Sequence, residues 1–155
     1  DLENLGEEHP DVVTTYNNMA GVYDKQGDYP KALEYYGKCL KMRLEKLGEE
    51  HPDVATTYNN MAWVYMNQGD YPQALEYYGK CLKIQLAKLG EEHPSVATTY
   101  NNMAAVYDNQ GDYPQALEYF QMAFDIWVDK LGANHPHTNI AKKGIDRVKR
   151  KLNSV

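Results

Sequence analysis

The stretch YNNMAWVYMNQGDYP, Tyr58 to Pro72, decides the fold because the chain writes it three times. Near-copies start at Tyr16 (YNNMAGVYDKQGDYP) and at Tyr100 (YNNMAAVYDNQGDYP). Around them the period is 42 residues: His9, His51, His93 and His135 recur at that spacing, each before a proline. Residues 11–52 and 53–94 differ at eight of 42 positions, and 95–136 keep the same text to Tyr119 before drifting. A fixed period of this size marks units that stack on one another. Within the copied stretch the sixth letter is free: Gly21, then Trp63, then Ala105.

Each copy reads as two helices. The first opens at a proline, whose missing N–H costs nothing at that position. Val12, Tyr16, Met19, Ala20 and Tyr23 recur at helical spacing, and Gly27 ends the element. Asp28 is a suitable N-cap for a second helix with Pro30 in its first turn. Ala32, Leu33, Tyr36, Cys39, Leu40, Leu44 and Leu47 form its apolar stripe, and Gly48 stops it. Two helices cannot bury both stripes, whereas a stack of pairs can. The expected divisions are 1–10, the tail of a preceding repeat; 11–52, 53–94 and 95–136, three repeats; and 137–155, a basic capping helix.

Tyr16, Met19, Ala20, Tyr23, Ala32 and Tyr36, repeated in register through Ala116 and Phe120, resemble the tetratricopeptide repeat (TPR) pattern. The usual TPR period is about 34. The longer unit, with HPxVATTYNNMA, QGDYPxALEYY and the loop LGEEHP, is similar to the kinesin light chain and nephrocystin type. The proline expected to close the repeat is absent at Leu44 and appears at Pro52. The resemblance implies an all-α, right-handed α-solenoid of three helix pairs plus a C-terminal capping helix. The closeness of the copies fits recent duplication or an idealised repeat better than a kinesin light chain itself.

Bulk composition excludes several classes. The 155 residues carry a net charge of −6, with no basic stripe for nucleic acid. No run of eighteen apolar residues offers a membrane span. Asp1-Leu2-Glu3-Asn4 lacks the basic and apolar regions of a secretory signal, and a start at Asp1 reads as an excised or processed product. Cys39 and Cys81 occupy equivalent positions and read as reduced core residues of a cytoplasmic protein. The histidines fall in equivalent loops, so they read as packing or capping residues and not as a metal site or catalytic bases. The paired glutamates Glu7-Glu8, Glu49-Glu50 and Glu91-Glu92 read as a solvated edge. Gly37 and Gly79, inside a helix, mark either a close contact or a surface defect. No enzyme, cofactor or metal is expected.

In the family resembled, first helices line a concave groove that holds partner peptides, with asparagines of the NN pair in contact. At about 100° per residue, Asn17, Gly21 and Asp24 share a face some 80° or more from the Tyr16–Met19–Tyr23 stripe. Three of the eight differences between the first copies fall there: 21/63, 24/66 and 25/67. An amide offers both donor and acceptor, so an asparagine ladder suits a peptide backbone. The candidate binding residues are Asn17, Asn18, Lys25, Asn59, Asn60, Trp63, Met66, Asn67, Asn101, Asn102 and Asn109. Lys143, Arg147 and Arg150 extend the set by register, although a solubilising cap explains them equally well. The chaperone-tail clamp needs inner Lys and Arg, and Asp24, Met66 and Asp108 stand there instead. The expected function is a protein-interaction module gripping an extended peptide, acidic with an aromatic anchor near Trp63. The alternative is a self-associating structural segment of a long array with no specific ligand.

Overall fold

The computed structural model describes residues 10–154. The expected tail of a preceding repeat, apart from Pro10, lies outside the described residues. Seven helices and no strand form among them: α1 Pro10–Gln26, α2 Tyr29–Leu47, α3 Pro52–Gln68, α4 Tyr71–Leu89, α5 Pro94–Gln110, α6 Tyr113–Leu131 and α7 Pro136–Asn153. None is long and apolar enough to cross a membrane.

Turn chemistry sets these boundaries. Gly27, Gly69 and Gly111 adopt φ near +80°, a left-handed conformation that L side chains resist. The next residue's N–H then returns to a helix carbonyl, as Asp28 to Tyr23 at 2.9 Å and Asp70 to Tyr65 at 2.9 Å. The Asp28 side chain in turn accepts from the Lys31 N–H at 3.3 Å and caps the second helix. The histidines cap the first helices. His51 Nδ1 accepts from the Asp53 N–H, His93 Nδ1 from Ser95 and His135 Nδ1 from His137, at 3.0–3.1 Å.

The chain divides into two units, one ending at Ile84 and one beginning at Gln85. In the first, Ala20, Ala32, Tyr36, Met61 and Val64 form one buried cluster drawn from α1, α2 and α3. In the second, Ala104, Ala116, Phe120, Ile145 and Val148 form another, from α5, α6 and α7. These are the same five positions, two periods apart. Within its unit, α7 therefore packs on α5 and α6 as α3 packs on α1 and α2. The basic final helix occupies the place of a first helix of a further repeat.

Beside each core runs a tyrosine triplet. Tyr35 stacks on Tyr23 at 5.6 Å between ring centres and lies tilted against Tyr16 at 5.7 Å. Tyr77 repeats this with Tyr65 and Tyr58, and Tyr119 with Tyr107 and Tyr100. Tyr16 and Tyr23 are accordingly half-buried partners of this ring ladder, not deep core residues. Leu47, which the apolar stripe points inward, is 42% exposed. It is the last residue of a 19-residue helix facing a 17-residue one, so it overhangs its partner. Met42, about one turn earlier, is buried instead.

The helical glycines differ in kind. A methyl group added at Gly37 or Gly79 meets no atom within 4 Å, so these are surface defects and not close contacts. At Gly144 it would lie 2.7–2.8 Å from the ring of Phe120, which is buried. Gly37→Ala should raise stability in urea unfolding by roughly 0.5–1 kcal/mol. Gly144→Ala should lower it, because overpacking costs about 1–3 kcal/mol against a helix gain of at most about 1 kcal/mol. Shifts of the same sign for both variants would contradict the assignment.

Candidate functional site

The face singled out by angle is half sheltered, because within each unit α1 and α3, or α5 and α7, meet across it. In the first unit the Asp24 carboxylate on α1 takes a side-chain hydrogen bond from Asn67 on α3. Its other character is a deficit: Oδ1 is buried and has no hydrogen-bond partner. Burial raises the Asp24 pKa, and the Asn67 bond lowers it by less, so it stands above the ordinary value. Helical angle alone puts Asp24 on an open face; it is instead tucked between two helices. Lys25 beside it is exposed.

The same position in the second unit is fully served. Arg147 on α7 donates through Nε at 3.1 Å and Nη2 at 2.8 Å to Asp108 Oδ2. Lys151 Nζ donates to Oδ1 at 3.0 Å. The Asp108 side chain is 8% exposed under these cations. Burial pushes its pKa up, but the two hydrogen bonds and the two positive charges outweigh burial and hold it below the ordinary value. Arg147 also lies over the Phe120 ring, 5.9 Å from its centre. The sequence reading names Arg147 among the candidate peptide-binding residues. Its guanidinium is engaged by its own chain, since the Asp108 carboxylate lies within reach two helices earlier.

The remaining candidates sort by exposure. Trp63 on α3 is 45% exposed. Asn18, Asn67, Asn109, Lys143 and Arg150 are exposed, whereas Asn59, Asn60, Met66 and Asn102 are half-buried. Asn17 and Asn101 are half-buried too, and in each the Oδ1 atom is buried without a partner. Asn17, Asn18, Lys25, Asn59, Asn60, Trp63, Met66 and Asn67 lie on α1 and α3 of the first unit. Asn101, Asn102, Asn109, Lys143, Arg147 and Arg150 lie on α5 and α7 of the second. At Asn17 and Asn101 the amide oxygen is thus an acceptor left unused within the chain.

Nucleophiles and metals are poorly provided. Cys39 and Cys81 are buried and form no disulfide. Burial pushes the Cys39 thiol up to about 11 despite a nearby Arg43, so it stays protonated, and its Sγ donates to the Val13 carbonyl at 3.4 Å. Among the described residues no group of three or more His, Cys, Asp or Glu could hold a metal ion.

These features define a scaffold of repeated helix pairs. The tetratricopeptide repeat family model matches residues 2–45, 11–87, 53–127 and 95–141, and the chain belongs to that family. No match is found among curated protein sequences. Among solved structures, the chain is similar to a point-variant form of the nearly identical TPR-like repeats of a kinesin-light-chain-type protein from Podosopora anserina. That match has TM-score 0.83 and 24% identity over 98% of this chain and 72% of the other. BtubC (BKLC) from P. vanneervenii matches with TM-score 0.74 and 26% identity over 92% and 64%. The TPR2B domain of yeast Sti1, solved as a complex with pHsp70, matches with TM-score 0.67 and 16% identity over 90% and 97%.

Asp24 and Asp108 should respond oppositely to neutralisation. A lowered folded pKa means that ionised Asp108 contributes stability above its unfolded pKa, and that this is lost as pH falls through the folded value. A raised folded pKa means that ionised Asp24 costs stability at neutral pH, and that the cost fades as pH falls through its folded value. Asp108→Asn should therefore destabilise at pH 7 by about 1 kcal/mol, since both cations are largely solvated. Asp24→Asn should leave stability unchanged or raise it. Urea titrations at pH 7 and pH 3.5 decide this, and an equal loss for both variants at pH 7 would contradict it.

Proposed function

We propose that the chain is a cytoplasmic, non-catalytic interaction module of the kinesin-light-chain-like cargo or scaffold type. It binds an extended partner peptide along the faces of its first helices. TPR repeats mediate protein–protein interaction in general, and the family membership carries that much. The finer reading rests on Trp63. A tryptophan at 45% exposure, in a slot filled by Gly21 and Ala105 in the flanking copies, has no packing task that requires it. Large aromatic side chains of this kind dominate binding energy where a partner desolvates them. The asparagines along α1 and α3 supply donors and acceptors for a peptide backbone. Lys143 and Arg150, exposed on α7, suit an acidic stretch of the partner. Peptides selected from a randomised library on the chain should lose at least tenfold in affinity with Trp63→Ala and several-fold with Asn59→Ala. Affinity unchanged in both variants would remove this reading.

A self-stacking segment is favoured by a separate observation. Val22 is 53% exposed, whereas its counterparts Val64 and Val106 are completely buried. With Met19 and Tyr23 it lines a groove on α1. That face is built to receive a helical neighbour, from a further repeat or a second copy. Light scattering should show concentration-dependent association that Val22→Asp abolishes while the helical circular dichroism is retained. A chain monomeric at all concentrations would exclude the second copy.

A further inference from the structure

We propose that the first unit recognises an arginine side chain of its partner peptide, held between the Asp24 carboxylate and the Trp63 indole. This rests on the peptide-binding reading above and names the chemistry it would select.

The argument is one of register. The five-residue clusters place α3 on α1 and α2 as α7 sits on α5 and α6. Position by position, Asp24 corresponds to Asp108, Tyr36 to Phe120, Trp63 to Arg147 and Asn67 to Lys151. The correspondence holds in detail. Asn67 bonds to Asp24, as Lys151 bonds to Asp108 one repeat pair later. In the second unit this arrangement places two cations on one carboxylate and each of them over an aromatic ring, Arg147 over Phe120 and Lys151 over Tyr113. In the first unit the carboxylate is kept but both cations are gone. An amide and an indole stand in their places, and Oδ1 is left buried and unpartnered. An unpaired carboxylate oxygen away from water is a costly feature in a folded chain unless something donates to it.

What completes the group is specified by what is missing. Asp24 Oδ1 is an acceptor without a donor, so the ligand must bring N–H groups. The carboxylate asks for positive charge. The Trp63 ring offers a π face, and indole attracts a guanidinium more strongly than the other aromatic rings do. Arginine meets all three demands, because its planar fork both donates to a carboxylate and stacks on a ring. Lysine, a point charge with strong hydration, meets two. Asp24 Oδ1 is covered in the free chain, so the side chains around it must shift as the guanidinium enters. No hydrogen bond or ring contact holds Trp63 among the described residues, and its exposure leaves it room. The chain thus contains, between Arg147 and Asp108, an internal copy of the contact that the first unit makes with its partner.

The test is a selection from a randomised twelve-residue peptide library, followed by titration of the tightest peptide, fluorescein-labelled. Arginine should be enriched at one position. Replacing it by citrulline, which keeps the shape and removes the charge, should weaken binding at least tenfold. Asp24→Asn should weaken binding of the arginine peptide similarly and abolish the difference from the citrulline peptide. Trp63→Tyr should retain most of the affinity that Trp63→Ala loses, and Asp108→Asn should leave the arginine preference intact. Selected peptides with no arginine enrichment, or a citrulline penalty undiminished in Asp24→Asn, would overturn this inference and leave peptide binding standing. If no peptide is selected at all, both fall. Self-association that depends on Asp24 would assign the site to the basic α7 of a second copy, and would also overturn the proposal.

Discussion

Everything in this chain depends on the close approach of three helices around two alanines. Ala20 and Ala32 in the first unit, and Ala104 and Ala116 in the second, are completely buried where first and second helices cross. A larger side chain at any of them would push the pair apart in an interior with no spare volume. The third helix closes the cluster with Met61 and Val64, or with Ile145 and Val148. A single pair is therefore incomplete without the helix that follows it. This is the nearest-neighbour logic of repeat proteins, and it fixes which side chains remain free to diverge.

The freedom is narrow, and it explains the variable letter in the copied stretch. Positions 21, 63 and 105 flank the alanine crossing without entering it. A Cβ at Gly21 would approach only the Tyr36 hydroxyl, at 3.9 Å. Packing therefore sets no size there, and Trp63 is tolerated beside a core that differs little from copy to copy. In α7 the same slot holds Arg147, and the carboxylate two helices earlier, Asp108 on α5, receives it. One position can thus be empty, aromatic or cationic, and its identity decides whether the neighbouring aspartate is neutralised within the chain. Asp24 and Asp108 share a backbone setting and differ only in what faces them.

The helix pairs, their capping residues and their order are legible in the sequence because they rest on local signals. Proline, Asp28, Gly27 and Gly48 act within a turn of themselves, and period 42 repeats them in register. The histidines are readable as caps for the same reason. Side chains whose fate depends on the next repeat are harder. Asp24 falls on an open face by helical angle, since that angle counts only its own helix and not Asn67 on α3. Arg147 reads as free because its partner lies 39 residues away. Leu47 looks apolar and inward, yet the two-residue mismatch between helix lengths leaves it overhanging. Tyr35 escapes the stripe because it is held by ring stacking and not by core burial. One signal could have exposed the Asp108 contact: the last helix keeps the repeat's apolar positions while turning basic at the positions that face an aspartate.

The central claim is that one aspartate is satisfied by its own chain and its counterpart is left for something else. The most direct measurement is the titration of the two side-chain carboxyls, followed residue by residue through their ¹³C chemical shifts in the ligand-free chain. Asp108 should titrate below the ordinary carboxylate value and Asp24 above it, with Arg147→Gln moving Asp108 upward and leaving Asp24 unmoved. Coincident titrations of the two aspartates, or Asp24 titrating below Asp108, would contradict the account.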